Sequence, residues 1–323
     1  MPLCRTVLVL ETEEESGSPN LIGLLTIAKD YIGNPDYLFC LDSGAFDYNQ
    51  LWLTSSLRGI SLVDLTVSAG KGGYHSGEVG GIVPETFRVV RNLLDRIDDS
   101  KTGKVIAELH TELPSYARPE AEKIAGLSGD GMYKKYKMEA GVEYLSEDNL
   151  VEMYLNNPWR PNFSITGAGG IPDYTRAGNV VRPSTTVRLS TRLPPNMDSK
   201  VAAKIIYDKL TTDVPYNCKV EIHGDHNGNG WCMKEPEAWF SDVISEAAKT
   251  FYDGKDYGSY GMGGSIPFLS QLGGLYPKTF IIALGLLGPA SNAHAPNESV
   301  NLAYAKKLTM AMSHILVETG AHK

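Results

Sequence analysis

Apolar positions along this chain come in two textures. Thr6 to Leu10, Tyr37 to Leu41 and Phe280 to Leu284 are short continuous runs, with the length and density of strands buried on both faces. Ser18-Pro19 offers an N-cap and a first-turn proline for a helix ending near Gly33. The opening segment therefore predicts strand, acidic loop, helix, strand: a βαβ unit whose loops after Leu10 and Leu41 share one sheet edge.

After Asp42 the runs become shorter and partly alternate. Leu51 to Thr54 and Ile60 to Val67 read as strands, and a glycine-rich turn leads to Tyr74-His75-Ser76-Gly77. Pro84 opens a helix with Phe87, Val90, Leu94 and Ile97 on one face and Arg88, Arg91, Asp95 and Arg96 on the wet side. Lys101 to Pro172 is polar and aromatic, predicting short helices and loops of an insertion. Strand signals return at Val180 to Arg192 and Cys218 to His223, around a helix at Ser199 to Leu210.

From Pro236 onward longer helices resume. One carries Trp239, Phe240, Val243, Ile244 and Ala247, and the closing one spans Leu302 to Val317, on either side of the 280–284 strand. This order predicts an α/β fold. A discontinuous α/β domain of residues 1–56 and 226–323 is interrupted by an inserted α+β domain of residues 57–225.

A chain of 323 residues with 42% apolar content can bury the cores of two such domains. Its net charge of -8 comes without basic blocks, which argues against nucleic acid or an anionic membrane surface as partner. Cys4, Cys40, Cys218 and Cys232 lie far apart without CxxC spacing, so neither a disulfide framework nor a thiolate zinc site is indicated; a reducing, cytoplasmic setting is expected. No apolar stretch reaches the roughly 18 residues of a membrane span, and no charged leader precedes an apolar region.

In an open α/β sheet, ligands collect beyond the carboxyl ends of parallel strands. Glu13-Glu14-Glu15-Ser16-Gly17-Ser18 follows the first predicted strand and Asp42 follows the second, so these acids are placed for a cation. One carboxylate of such a pair can hold a metal while its neighbour takes a proton from water; a solvated acidic turn is the plainer alternative. His294, in the loop Ser291 to Glu298 beyond the 280–284 strand, reads as a neutral metal ligand oriented by Glu298 or a carbonyl, or as a capping or surface histidine. Gly261 to Pro267 is a turn into a helix whose amides could receive an anion, or turn chemistry alone. His223-Gly224-Asp225-His226 reads as a simple loop ending a strand. A nucleotide-binding site is disfavoured, because the first strand-to-helix loop is acidic where phosphates need glycines and amides.

Taken in order, Glu-Glu-Ser-Gly-Ser at 14 to 18, Asp42, His-Ser-Gly at 75 to 77, Arg192 in Leu-Ser-Thr-Arg-Leu-Pro, Gly-Gly-Ser-Ile-Pro at 263 to 267 and Asn-Ala-His-Ala-Pro-Asn-Glu near the end resemble a known family nearly end to end. It is the dizinc metallopeptidase family of carnosinase, Cys-Gly dipeptidase, glutamate carboxypeptidase and succinyl-diaminopimelate desuccinylase. The resemblance implies a zinc-dependent hydrolase that cleaves the amide bond of a dipeptide or N-acyl amino acid. It makes Glu14 the general base, Glu15 and His294 ligands of one zinc, and Asp42 a ligand of the other.

The same resemblance places Asn179 and Arg192 at lid positions that hold a substrate carboxylate or carbonyl, and Ser265 in a loop that closes over the substrate. His75 matches a lid histidine that reaches into the partner's site in dimeric members, so a homodimer through the lid is expected. Met262 stands where carnosinase-like members have a glutamate for the substrate's amino group. The family pattern also has roughly a hundred residues, a domain-scale stretch, ahead of this point, with a His-x-Asp motif and an aspartate that bridges the metals. Only five residues precede Thr6 here. The expectation is therefore a catalytic domain incomplete at its N-terminus, with activity in doubt, or a noncatalytic dimerisation or regulatory relative.

Overall fold

The computed structural model describes residues 4–146, 149–289 and 291–322. Two units divide the chain: residues 1–57, 231–262 and 266–323 form the first, and residues 58–230 with 263–265 the second.

Unit 1 is built on a mixed sheet. Strands β1 (Tyr37–Cys40), β2 (Trp52–Leu57), β9 (Trp231–Cys232), β10 (Gly258–Met262) and β11 (Phe280–Ala283) lie in the order β1-β11-β2-β10, with β9 also on β2. β1 runs parallel to β11 from Tyr37↔Phe280 to Cys40↔Ala283, and β2 runs parallel to β10. Every residue of β2 is buried, including Thr54, Ser55 and Ser56. Buried hydroxyls need partners; Thr54 shares a hydrogen bond with Ser43, and Ser43 Oγ donates to Met262 Sδ at 3.3 Å. Leu57, Trp231, Leu269, Leu272, Ile281 and Ala283 form a core joined by Leu21 and Leu25 of the helix Leu21–Ile27. The helices Ala238–Phe251 and Leu302–Ala321 pack on one another.

The predicted first strand is not formed. Thr6 to Leu10 has no ladder partner among the described residues, and Leu8 and Leu10 are 77% and 80% exposed. An apolar run becomes a strand only where another strand satisfies its backbone groups. The helix that follows is also broken, into Leu21–Ile27 and Lys29–Ile32. Its N-cap position is Asn20, because Ser18 takes φ 50°, and it stops at Gly33, φ 78°, as expected.

Unit 2 carries β3 (Gly59–Ser68), β5 (Asn162–Gly169), β7 (Ser184–Leu193) and β8 (Lys219–Gly228) as an antiparallel sheet, in the order β5-β7-β3-β8. β4 (Tyr74–His75) and β6 (Val180–Val181) make a separate two-stranded ribbon. Strand alternation is clean. Leu65, Val67, Val187 and Leu189 face the helices Thr86–Leu94 and Ser199–Thr211, while Asp64 and Arg188 pair across the other face at 2.7 and 2.8 Å.

Three expectations change in unit 2. Glu85 accepts from the amides of Phe87 and Arg88 and so starts its helix at Thr86. The buried stripe becomes Val89, Val90, Leu93, Leu94 and Ile97, leaving Phe87 41% exposed. The sequence does not predict β5, because Asn-Phe-Ser-Ile-Thr-Gly-Ala-Gly lacks an apolar period and is mostly exposed, with Phe163 alone packed on the core. His223 to His226 belongs to β8 and not to a loop: the register shifts opposite Leu62 to Asp64 and Gly224 takes φ +86°, a bulge that lets the strand continue to Gly228. The Asp225 side chain lies outside the described part.

Candidate active site

In unit 1 the parallel pairing of β1 with β11 sends both chain exits to one sheet end. Asp42 follows β1, and the loop bearing His294 follows β11. The acidic segment folds as a 3₁₀ turn, Glu14–Ser16, closed by Gly17 at φ 85°. The amides of Ser16 and Ser18 both donate to Glu13 O at 3.0 Å, and Glu13 Oε2 accepts from Asn20 at 2.8 Å. Glu13 is thus occupied in shaping the turn, leaving Glu14 and Glu15 to its exterior.

The His294 loop is held in an unusual conformation. Asn292, His294 and Asn297 have φ of 57°, 59° and 65°, a region disfavoured for residues with a Cβ. Buried Ser291 anchors its base: Gly288 N donates to Ser291 Oγ at 2.9 Å, Tyr48 OH meets that oxygen at 3.1 Å, and Ser299 N donates to Ser291 O at 2.9 Å. The Asn292 side chain donates through Nδ2 to Pro296 O.

His294 Nε2 lies 3.3 Å from Glu15 Oε1. Glu15, and not Glu298, is therefore the partner of this imidazole among the described residues. Both side chains are mostly exposed, so as an ion pair the contact is worth little. As a spacing it is informative: two donors at about 2.0–2.1 Å from one tetrahedral zinc stand about 3.3–3.4 Å apart.

Glu14 and Asp42 both feel the charges of Glu15, Glu11 and His294. The Glu14 carboxyl is pushed above the usual carboxylate range first by burial, then by Asp42, Glu15 and Glu11, with His294 pulling the other way. Asp42 is raised by burial and then by Glu15 and Glu11, again against His294. Carboxyls raised by burial and by neighbouring acids are relieved by a cation. The donor types, carboxylate oxygen and imidazole nitrogen, suit zinc, and the Glu15–His294 spacing suits a shared ion. Among the described residues no three His, Cys, Asp or Glu side chains gather around a single point.

The predicted lid residues all lie in unit 2, in two groups. His75 stands opposite Val180 in the β4–β6 ribbon, and Ser76 N donates to Asn179 O at 2.9 Å, so His75 and Asn179 are neighbours. His75 Nδ1 accepts from Gly77 N at 3.1 Å, which leaves Nε2 as the ring's outward nitrogen. Elsewhere, Arg192 Nη1 donates to Ser265 Oγ at 3.3 Å. Met262, at the end of β10 in unit 1, accepts from Ser43 and is a packing residue.

Sequence reading passed over one residue of this second group, Arg58. It is only 8% exposed, its Nε donates to Gly263 O at 3.0 Å, and its amide donates to Gly264 O at 3.0 Å. Burial and the Arg192 charge pull its guanidinium down to about 10. Burial also lowers Arg192. The available signal was an arginine inside an otherwise uncharged β-rich run, Leu51 to Val63.

A mixed sheet with acids and a histidine beyond its strand ends, and a separate antiparallel unit carrying arginines, make this a two-unit α/β protein. The chain belongs to peptidase family M20/M25/M40, whose sequence profile matches residues 3–318. It is 24% identical over 315 residues to the cysteinylglycine-S-conjugate dipeptidase of Corynebacterium striatum, covering 97% of this chain and 66% of that protein. It is 27% identical over 305 residues to a Cys-Gly metallodipeptidase of Saccharomyces cerevisiae, covering 92% of this chain and 61% of that protein. In fold it is similar to the solved structure of a Saccharomyces cerevisiae dipeptidase, with a TM-score of 0.71 at 22% identity over 96% of this chain and 64% of the other. The chain thus spans less than two thirds of the length of either of these two relatives. Among the described residues no helix is long and apolar enough to cross a membrane.

Proposed function

We propose that the chain contributes to metal-dependent hydrolysis of the amide bond in a dipeptide or N-acyl amino acid, with unit 1 as the catalytic domain and unit 2 as the lid and dimerisation domain. The observation that carries this reading is the 3.3 Å Glu15–His294 spacing inside a cluster that also holds Glu14 and Asp42. The dipeptidase names of its relatives agree with it.

Glu15 and His294 would hold one zinc and Asp42 would serve a second. Zinc bound there supplies Lewis-acid polarisation of the scissile carbonyl and a more acidic water. Glu14 is the base: it takes a proton from the attacking water and hands it to the leaving amine. Its raised carboxyl affinity for protons suits that shuttle. Arg192, steadied by Ser265, receives the substrate carboxylate through charge-assisted hydrogen bonds, and Asn179 receives a carbonyl. His75, exposed on the β4–β6 ribbon, is the group offered to a second copy's oxyanion, and the outer strands β5 and β8 leave edges on which such a homodimer could build.

The test couples metal content to hydrolysis. The purified chain is dialysed against zinc, its metal is counted, and hydrolysis of Cys-Gly is followed. Bound zinc and a rate that falls about 10²–10⁴-fold in Glu14→Gln, at unchanged zinc content, are expected. A chain that takes up no zinc, or whose hydrolysis is indifferent to Glu14→Gln, refutes the catalytic reading and leaves a dimerisation or regulatory role.

A further inference from the structure

The segment Gly263–Ser265 belongs to unit 2, although the residues on either side of it belong to unit 1. Two arginines of unit 2 hold it there. Arg58 binds the carbonyls of Gly263 and Gly264 through its Nε and its amide, both at 3.0 Å, and Arg192 donates to Ser265 Oγ at 3.3 Å. Gly263 is seated closely: a Cβ there would meet Asn157 Oδ1 at 2.6 Å.

The sheet explains why these two cations are neighbours. In the β3–β7 register Ile60 stands opposite Arg192, and Arg58 precedes Ile60 by two residues, placing it on the diagonal to Arg192. Among the described residues neither guanidinium lies within ion-pair distance of a carboxylate, whereas Arg118, Arg160 and Arg188 each have one. Two neighbouring cations without an acid, one of them nine-tenths buried, form a costly arrangement that an arriving anion relieves.

We propose that Arg58 is a positioning residue for recognition of a substrate carboxylate: it fastens Gly263–Ser265 so that Ser265 meets Arg192, and it sets a buried positive charge beside the partly exposed one of Arg192. This inference rests on Arg192 being the carboxylate receptor, as proposed above. It assigns specificity to an uncompensated arginine pair and predicts that substrates lacking a free carboxylate are excluded by more than the loss of one hydrogen bond. Charge lowering agrees with the geometry, since burial and Arg192 both weaken the hold of Arg58 on its proton.

Calorimetric titration of the full chain with N-acetylglycine and with its uncharged counterpart N-acetylglycinamide separates the two readings. The wild-type chain should bind the acid about tenfold or more tightly than the amide, and Arg192→Met should remove that preference. Arg58→Met should lower the affinity for the acid about tenfold while leaving that for the amide unchanged; loss of packing alone would weaken both. Arg58→Lys, which keeps the charge but not the Nε bond to Gly263, should fall between the two. Full wild-type preference in either Arg58 variant, with Arg192→Met still lacking it, overturns the role of Arg58 and spares the receptor. The lysine arm decides the matter even if the methionine variant fails to fold. A wild-type chain without preference for the acid overturns both.

Discussion

The two units carry opposite electrostatic imbalances. In unit 1 the Glu14 and Asp42 carboxyls are raised, first by burial and then by neighbouring acids that include Glu15 and Glu11, with His294 opposing. Unit 2 gathers Arg58 and Arg192 with no carboxylate at ion-pair distance among the described residues, and burial lowers both. Elsewhere unit 2 pairs its charges, as in Asp64–Arg188 and Glu152 with Arg118 and Arg160. In these clusters the unbalanced charge stands where a cation or an anion would complete the set, and the paired charges belong to the scaffold. On the proposed function, that contrast separates groups offered to ligands from groups that serve stability.

The contrast can be broken most severely in the scaffold. Leu65 is fully buried on β3 in the core of unit 2, so Leu65→Ala should cost about 2–5 kcal/mol in denaturant unfolding. Zinc content of unit 1 should be unaffected; a parallel loss of zinc would mean that the metal set is not confined to unit 1. Next comes His294→Ala, which removes the imidazole of the acidic cluster. Zinc affinity should fall by at least about a hundredfold, because substitutions that merely orient ligands already cost 10–100-fold. Unfolding of the chain should hardly change, since His294 is exposed.

The smallest effect concerns pH. Glu152 is held below the usual carboxylate range, first by its hydrogen bond to Arg118 and then by Arg160, with burial opposing. A depressed carboxyl contributes stability that is present above its unfolded value near 4.5 and is lost as pH falls through its lower folded value. Wild type should therefore exceed Glu152→Gln in stability at pH 7 by under about 1 kcal/mol after solvent screening, and the gap should close below the folded value of Glu152. Thermal unfolding of both proteins from pH 7 to pH 3 measures this. A gap that widens on acidification would show that Glu152 is not held by the arginines.

Much of the candidate site was legible because its residues lie in short local motifs. Glu14, Glu15 and Asp42 follow apolar runs, and His294 sits in a polar loop after the 280–284 strand; the fold brings Glu15 and His294 into contact, and both act on Glu14 and Asp42. Arg192 and Ser265, 73 residues apart, were named from motif order and are joined by a hydrogen bond. Arg58 was not legible, since its meaning depends on the carbonyls of Gly263 and Gly264, which the chain reaches some two hundred residues later. Glu298 was offered as the orienting group for His294, but the turn at Glu13 brings Glu15 there instead.

What the sequence determined by itself is local: the amphipathic helices, the apolar strands Tyr37–Cys40 and Phe280–Ala283, the first only half-buried at the sheet edge, the glycine stop at Gly33, and which residue types could bind a cation. Tertiary structure decided which apolar runs became strands. Thr6 to Leu10 did not, because no neighbour among the described residues satisfies its backbone, and the exposed Asn162–Gly169 did, because β7 offers it a full ladder. It also decided which charges stand alone. Hydrogen-bond partners and counter-charges come from distant parts of the chain, so neither pairing nor its absence can be read from local pattern.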